Sequence, residues 1–260
     1  MKKTFILLIT VFSLVYGCKK DTKLVTRVFP KQQWIGGLSS IFTGMKLHLN
    51  NYTPIKHNYE QDDNYAYDNP NSSSLSIPSL GIVPWAFDVP VTRNNPYSIY
   101  LNDINSTRFT TDAHDGYAYI TINFESDGTE IIGDCVNNII CVCGSPKMDL
   151  GNIVTSIPLA FVPKDGAASV GSGDVSFSSD VAETGPCVNN ACAFFCEIFA
   201  PNRNTDMQKA IQNYIGDFID QNSGLISTPF TQYLKTLGVS GAIVAIQIKP
   251  NGDLMVEDKE

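Results

Sequence analysis

Residues 205–220, TDMQKAIQNYIGDFID, decide the fold because their apolar side chains recur with the period of an α-helix. Met207, Ala210, Ile211, Tyr214, Ile215, Phe218 and Ile219 fall at i, i+3, i+4, i+7, i+8, i+11 and i+12, while Gln208, Lys209, Gln212, Asp217 and Asp220 face away. Thr205 and Gln208 have capping-box spacing, with hydroxyl and amide placed to answer the unpaired N–H groups of the first turn. The spacing predicts one long amphipathic helix. A second, shorter helix is expected from Thr228, with Pro229 at its first position, Phe230, Tyr233, Leu234 and Leu237 inward, and Gly238 as its stop. Ala242 to Lys249 then reads as an apolar strand, Pro250-Asn251-Gly252-Asp253 as a turn, and Leu254-Met255-Val256 as the returning strand.

Working back toward the N-terminus, alternation replaces helical periodicity. Ile153, Thr155, Ile157, Leu159 and Phe161 share one face of a long strand, which Pro163-Lys164-Asp165-Gly166 turns and Val175 to Val181 answers. Pro158 cannot donate to a ladder, so it marks an edge or a bulge. Tyr117 to Phe124 alternates strictly, with Ala118, Ile120, Ile122 and Phe124 on one face, and Ser126-Asp127-Gly128-Thr129 has hairpin chemistry. Tyr97 to Ile104 and Phe109 to Thr111 are β-like, and the prolines at 78, 84, 90 and 96 keep their stretch extended. Trp34, Ile35, Leu38, Ile41, Phe42 and Met45 have helical spacing, weakened by Gly36 and Gly37, and Met45 to Asn50 alternates as a short strand. Strands, a long helix and a closing hairpin make the fold class α+β, a single domain over residues 30–260.

The first 17 residues differ in kind. Lys2 and Lys3 precede an apolar run from Phe5 to Tyr16, too short to span a bilayer, which needs roughly 20 residues. The charge and length are those of a secretory leader. Leu14-Val15-Tyr16-Gly17-Cys18 resembles a bacterial lipoprotein signal, in which the leader is cut just before a lipid-modified cysteine. The resemblance implies acyl chains on Cys18, membrane attachment through them, and a bacterial outer-membrane address on the periplasmic face or the cell surface. Two or more chains anchor stably where one does not. Lys19-Lys20-Asp21 is similar to the export signal of some Bacteroidota lipoproteins, and residues 18–29 read as a tether.

Composition bounds the partners. Apolar content of 43% and charged content of 17% are globular values. The net charge of −8, without a basic cluster, argues against nucleic acid. Six cysteines remain besides Cys18: Cys135, Cys141, Cys143, Cys187, Cys192 and Cys196. An even number in an exported chain reads as disulfides, whose connectivity stays open. Their spacing lacks the paired C-x2-C of a structural metal site. The echo of Cys135-Val136-Asn137-Asn138 in Cys187-Val188-Asn189-Asn190 suggests two loops cross-linked at one end of the molecule.

The motifs of catalysis are missing. No G-x-S-x-G elbow, H-E-x-x-H pair or phosphate-cradling glycine loop occurs, so neither an enzyme nor a cofactor or metal is expected. Of the three histidines, His48, His57 and His114, only His114 beside Asp115 offers a site to a degradative enzyme. Residues 57–74 form a polar loop rich in Tyr, Asn and Asp, suited to sugar rings, so a cell-surface adhesin or glycan-binding module is the alternative function.

The helix followed by Ile243-Val244-Ala245-Ile246-Gln247-Ile248-Lys249-Pro250-Asn251-Gly252-Asp253-Leu254 resembles the end of small bacterial lipoproteins of the TULIP superfamily, lipid-binding relatives of bactericidal/permeability-increasing protein. Tyr97 to Asn105, and Gly116 to Glu125 with Asp127-Gly128, are similar to the long curling hairpins of that fold. The resemblance rests on element order over residues 97–256 and implies a strongly twisted antiparallel sheet wrapped on the long helix. It also implies a groove for a lipid or other apolar ligand, lined by Met207, Ile211, Ile215 and Phe218. The same stripe serves equally to pack a filled core.

Overall fold

The computed structural model describes residues 23–50, 73–78, 81–84, 92–94, 97–125, 129–135, 147–184 and 203–260. It is α+β. Among the described residues the helices are α1 (Lys31–Phe42), α2 (Arg203–Gln221) and α3 (Gly224–Thr236). A small sheet joins β1 (Leu24–Phe29), β14 (Leu254–Lys259) and β13 (Ala242–Ile248), in the order β1-β14-β13. The large sheet contains β2 (Lys46–Leu49), β3 (Ser74–Ile77), β4 (Gly81–Pro84), β5 (Thr92–Asn94), β6 (Tyr97–Leu101), β7 (Ile104–His114), β8 (Tyr117–Glu125), β9 (Thr129–Cys135), β10 (Lys147–Lys164), β11 (Ala167–Ser172) and β12 (Ser176–Thr184). Its path runs β4-β3-β2-β7-β8-β10-β9-β6-β5, and all its pairings are antiparallel.

The 18 residues of β10 organise this sheet. Ile153, Thr155, Ile157, Leu159 and Phe161 are all buried, the face that alternation predicts. One edge of β10 pairs with β8 and then β9, the other with β11 and then β12. The two-residue turns Asp115-Gly116 and Asp165-Gly166 close the β7–β8 and β10–β11 hairpins. All four residues have positive φ, the backbone that such tight turns require.

α2 lies on the concave side of the sheet. Met207, Ile211, Ile215 and Phe218 are buried, as the stripe predicts. α2 packs on β11, β12 and β5, and its Ile215 and Phe218 meet side chains of β2, β3, β7, β8 and β10. A single helix reaches so many strands only because the sheet curls around it. On the other side of β11, α3 and the end of α2 supply what an edge strand lacks. The N–H groups of Ala168 and Val170 donate to Thr231 Oγ1 at 3.1 Å and Ser227 Oγ at 3.0 Å, and Ser172 N–H donates to Asp220 Oδ1 at 2.7 Å. Alternate backbone donors are thereby taken by helix side chains, leaving no open template for another strand.

Several expectations need correction. α2 begins at Arg203, two residues before Thr205, so Thr205 lies in the first turn and is not the cap. α3 begins at Gly224, placing Pro229 inside the helix. Residues 126–128 of the expected hairpin turn lie outside the described residues, but the strands on either side do not pair with each other: β8 and β9 run in the same direction along β10, Val154 facing Asn123 and Lys147 facing Ile132. Pro158 lies in a strand paired on both edges, and the register shifts of β10 fall at 148–149 and 151–154, so neither a sheet edge nor a bulge marks it. It sits instead at a gap between two partners: its carbonyl accepts from Gly173 N–H at 2.7 Å, and residues 173–175 separate β11 from β12 on the edge of β10 where Pro158 has no N–H to give. Finally, Leu24 to Phe29, expected in the tether, form β1 and pair with β14 over six residues.

Candidate functional site

Two connected hollows lie where α1, α3 and the start of β2 meet the C-terminal end of α2. The inner one is a narrow apolar cavity of about 30 Å³, lined by residues that include Phe42, Leu75, Phe109, Ile122, Ile157, Ile215 and Phe218. The outer one is an open groove of about 620 Å³, lined by Ser40, Ile41, Thr43, Ile77, Pro78, Gly224, Thr228 and Pro229. Met45 and Leu225 line both, so these two residues stand where groove and cavity adjoin.

Local sequence explains the placement. α1 ends at Phe42, and Gly44 takes a φ of +77° that a β-carbon disfavours. This turn drops Met45 inward at the groove floor, where it is 8% exposed. α1 crosses α3 closely because Gly37 has no side chain; a β-carbon there would stand 2.1 Å from the Tyr233 ring. Tyr233 also donates its hydroxyl to the Gln33 carbonyl at 2.7 Å. The glycine that weakens the helical pattern in sequence is the residue that admits the second helix.

The groove wall carries hydroxyls but, among the described residues, no charge. Ser40 Oγ donates to the Gly37 carbonyl at 2.7 Å and Thr43 Oγ1 to the Ser39 carbonyl at 3.2 Å. A separate polar hollow of about 520 Å³ lies on the opposite side of α2, lined by Asp174, Asp217 and Asp220 among others. Asp220 there is already an acceptor for Ser172, and among the described residues no group of His, Cys, Asp and Glu is arranged to hold a metal ion. Burial, with Asp217 beside it, pushes the Tyr214 phenol above its ordinary value.

Of the four residues assigned to a ligand lining, Ile215 and Phe218 line the inner cavity, while Met207 and Ile211 pack in the core farther along α2. The mouth residues Ser40, Ile41, Thr43, Thr228 and Pro229 escaped the sequence reading, because no single segment contains them. Their only advance signals were the glycine-broken helix and the proline of α3. His114 sits at an exposed hairpin tip, 2.9 Å from Asp115 and stacked on Tyr119 at 4.2 Å. Neither residue lines any of these three hollows. His48 contacts Asp103 at 2.9 Å.

Cys18, His57 and the loop 57–72 lie outside the described residues, as do the side chains of Cys135, Cys141, Cys143, Cys187, Cys192 and Cys196. The near ends of that loop are tied together: Asn50 N–H donates to Ser73 Oγ at 2.8 Å, and Ser73 donates back to the Asn50 carbonyl at 3.1 Å. Among the described residues no helix is long and apolar enough to cross a membrane.

No family model matches the chain, and no curated protein matches it. Among solved structures, a crystal structure of lipopolysaccharide binding protein shows a weak similarity, with 12% identity and a TM-score of 0.37. The alignment covers 92% of this chain and 50% of that protein, so the chain spans about half its length.

Proposed function

We propose that this protein is a membrane-anchored, non-enzymatic binder of an apolar acyl ligand, built on a TULIP-like fold and attached through lipid on Cys18 at the bacterial outer membrane. The observation that carries the proposal is the pair of hollows. An apolar cavity against the α2 stripe adjoins an open groove, and the two share Met45 and Leu225 in their walls. A void of about 30 Å³ is about the size of one water and holds no chain, whereas ligand sites run from roughly 300 to 1,000 Å³. The groove therefore receives the ligand, and its apolar end extends inward when these two side chains shift. Met45 suits that role, since an unbranched thioether re-packs at low cost. Burial of acyl methylenes, each worth about 0.8 kcal/mol, supplies the affinity.

The test is native mass spectrometry of the full-length chain released from a non-acyl detergent. An acyl-containing adduct is expected on the wild type and is lost in Ile41→Trp, which fills the groove from a half-buried position without opening the core. Urea unfolding of Ile41→Trp should stay within about 1 kcal/mol of the wild type, as for changes outside the core. No acyl adduct on the wild type, or equal loading of Ile41→Trp, refutes the proposal.

A further inference from the structure

Resting on the acyl-binding proposal, we infer that the ligand carries an uncharged, hydroxyl-bearing head, as a monoacylglycerol does, and not a carboxylate or phosphate. The inference comes from what the groove wall can offer. Ser40 and Thr43 have each committed their one O–H to a carbonyl of α1, at 2.7 and 3.2 Å. A hydroxyl has one donor and two acceptor lone pairs, so toward the groove these two act as acceptors.

Pro229 adds to the same bias. It sits inside α3 and has no N–H, so the Leu225 carbonyl four residues earlier lacks its usual helical donor. Leu225 and Pro229 both line the groove, so the segment that carries this acceptor forms part of its wall. A proline inside a helix is destabilising, and here it falls beside the site.

Thr228 in the same wall can give or accept, so acceptor sites outnumber donors there, and such a wall favours groups that donate hydrogen bonds. Carboxylate and phosphate accept only, and desolvating an anion against carbonyl and hydroxyl oxygens without a cation is strongly unfavourable. No Lys, Arg or His is among the described groove-lining residues. Alcohol hydroxyls donate at no charge penalty, and an acyl chain below them meets Ile41, Met45 and Leu225.

The experiment is equilibrium binding of radiolabelled 1-oleoylglycerol, oleate and 1-oleoyl lysophosphatidate to the full-length chain at pH 8 in a non-acyl detergent. The neutral lipid should bind at least about tenfold more tightly than either anion. Pro229→Ala restores an N–H to the helix and takes up the Leu225 carbonyl. This variant should unfold at higher urea, yet bind 1-oleoylglycerol severalfold more weakly with oleate unchanged. Because the substitution favours the helix, lost binding cannot be put down to misfolding. Oleate or lysophosphatidate binding as tightly as the neutral lipid overturns the inference and leaves an acyl site standing. Failure of all three lipids to bind removes the acyl site itself, and unchanged 1-oleoylglycerol affinity in Pro229→Ala removes the Leu225 carbonyl from it.

Discussion

At Thr155 a polar atom sits where the alternation asks for an apolar one. The residue is fully buried between Ile153 and Ile157, and its Oγ1 finds no hydrogen-bond partner among the described residues. An unsatisfied buried hydroxyl costs about 1–3 kcal/mol. Thr155→Val keeps the branched shape and removes the orphan, so it should raise stability by about 1 kcal/mol, read as a higher urea midpoint at unchanged slope. A second residue-scale prediction concerns acid. Asp112 is ion-paired with Lys31, whose ammonium holds the carboxyl below its ordinary range. A depressed folded value contributes stability above the unfolded value of about 3.9, and that stability is lost as pH falls through the folded value. More than half of the Asp112 side chain is exposed, so solvent screening keeps the effect under about 1 kcal/mol. Asp112→Asn should therefore flatten the stability curve slightly between about pH 4 and the lower folded value, and leave the curve's shape above pH 5 unchanged, as thermal melts across that range would register.

At the scale of elements, what was legible follows physical locality. The α2 stripe and the alternation of β8 and β10 depend on neighbours in sequence, and Ile211, Ile215, Ile120, Ile157 and Leu159 are buried as their spacing predicts. The start of α3 was not legible, because Pro229 is normally a first-turn residue and nothing local reveals that Gly224 to Thr228 are already helical. Asp127-Gly128 carries hairpin chemistry, yet β10 is long enough to pair β8 and β9 in one direction, so tertiary pairing overrides the turn signal. Two members of the site lining, Ile215 and Phe218, were visible as the helix stripe. The groove was not, since its wall is assembled from three distant segments. The capping of β11 by α3 was equally hidden, because hydroxyls at Ser227 and Thr231 look like ordinary helix-surface residues. Their role has a measurable consequence. Thr231→Val leaves the Ala168 N–H buried and unpaired and should cost about 1–3 kcal/mol, with faster amide exchange at Ala168. Equal stability and unchanged protection at Ala168 would show that the edge is satisfied by another route.

For the whole molecule, the proposed anchor and the observed β1 together set a distance. Lys23 is already hydrogen-bonded to Glu260 in both directions, at 3.1 and 3.0 Å, and β1 follows at Leu24. Lys23 is five positions beyond Cys18. Five extended residues reach no farther than about 18 Å, so with lipid on Cys18, as proposed, the folded domain would start that close to the bilayer surface. A tether running to residue 29 would have allowed twice the reach. On that proposal the chain before Lys23 would serve attachment, while the chain after it serves stability: Arg27 pairs with the fully buried Asp258, which also accepts the N–H groups of Ser240 and Gly241 at 3.2 and 2.8 Å. The two roles separate experimentally. Cys18→Ala in the full-length chain should abolish labelling by tritiated palmitate and move the protein from the membrane to the soluble fraction, with its urea midpoint unchanged. Arg27→Ala should leave labelling and fractionation intact and lower stability by about 2–4 kcal/mol, since removing one partner strands a buried charge that its two backbone donors only partly offset. A Cys18→Ala chain that still fractionates with membranes would place the attachment elsewhere, on a surface of the folded domain.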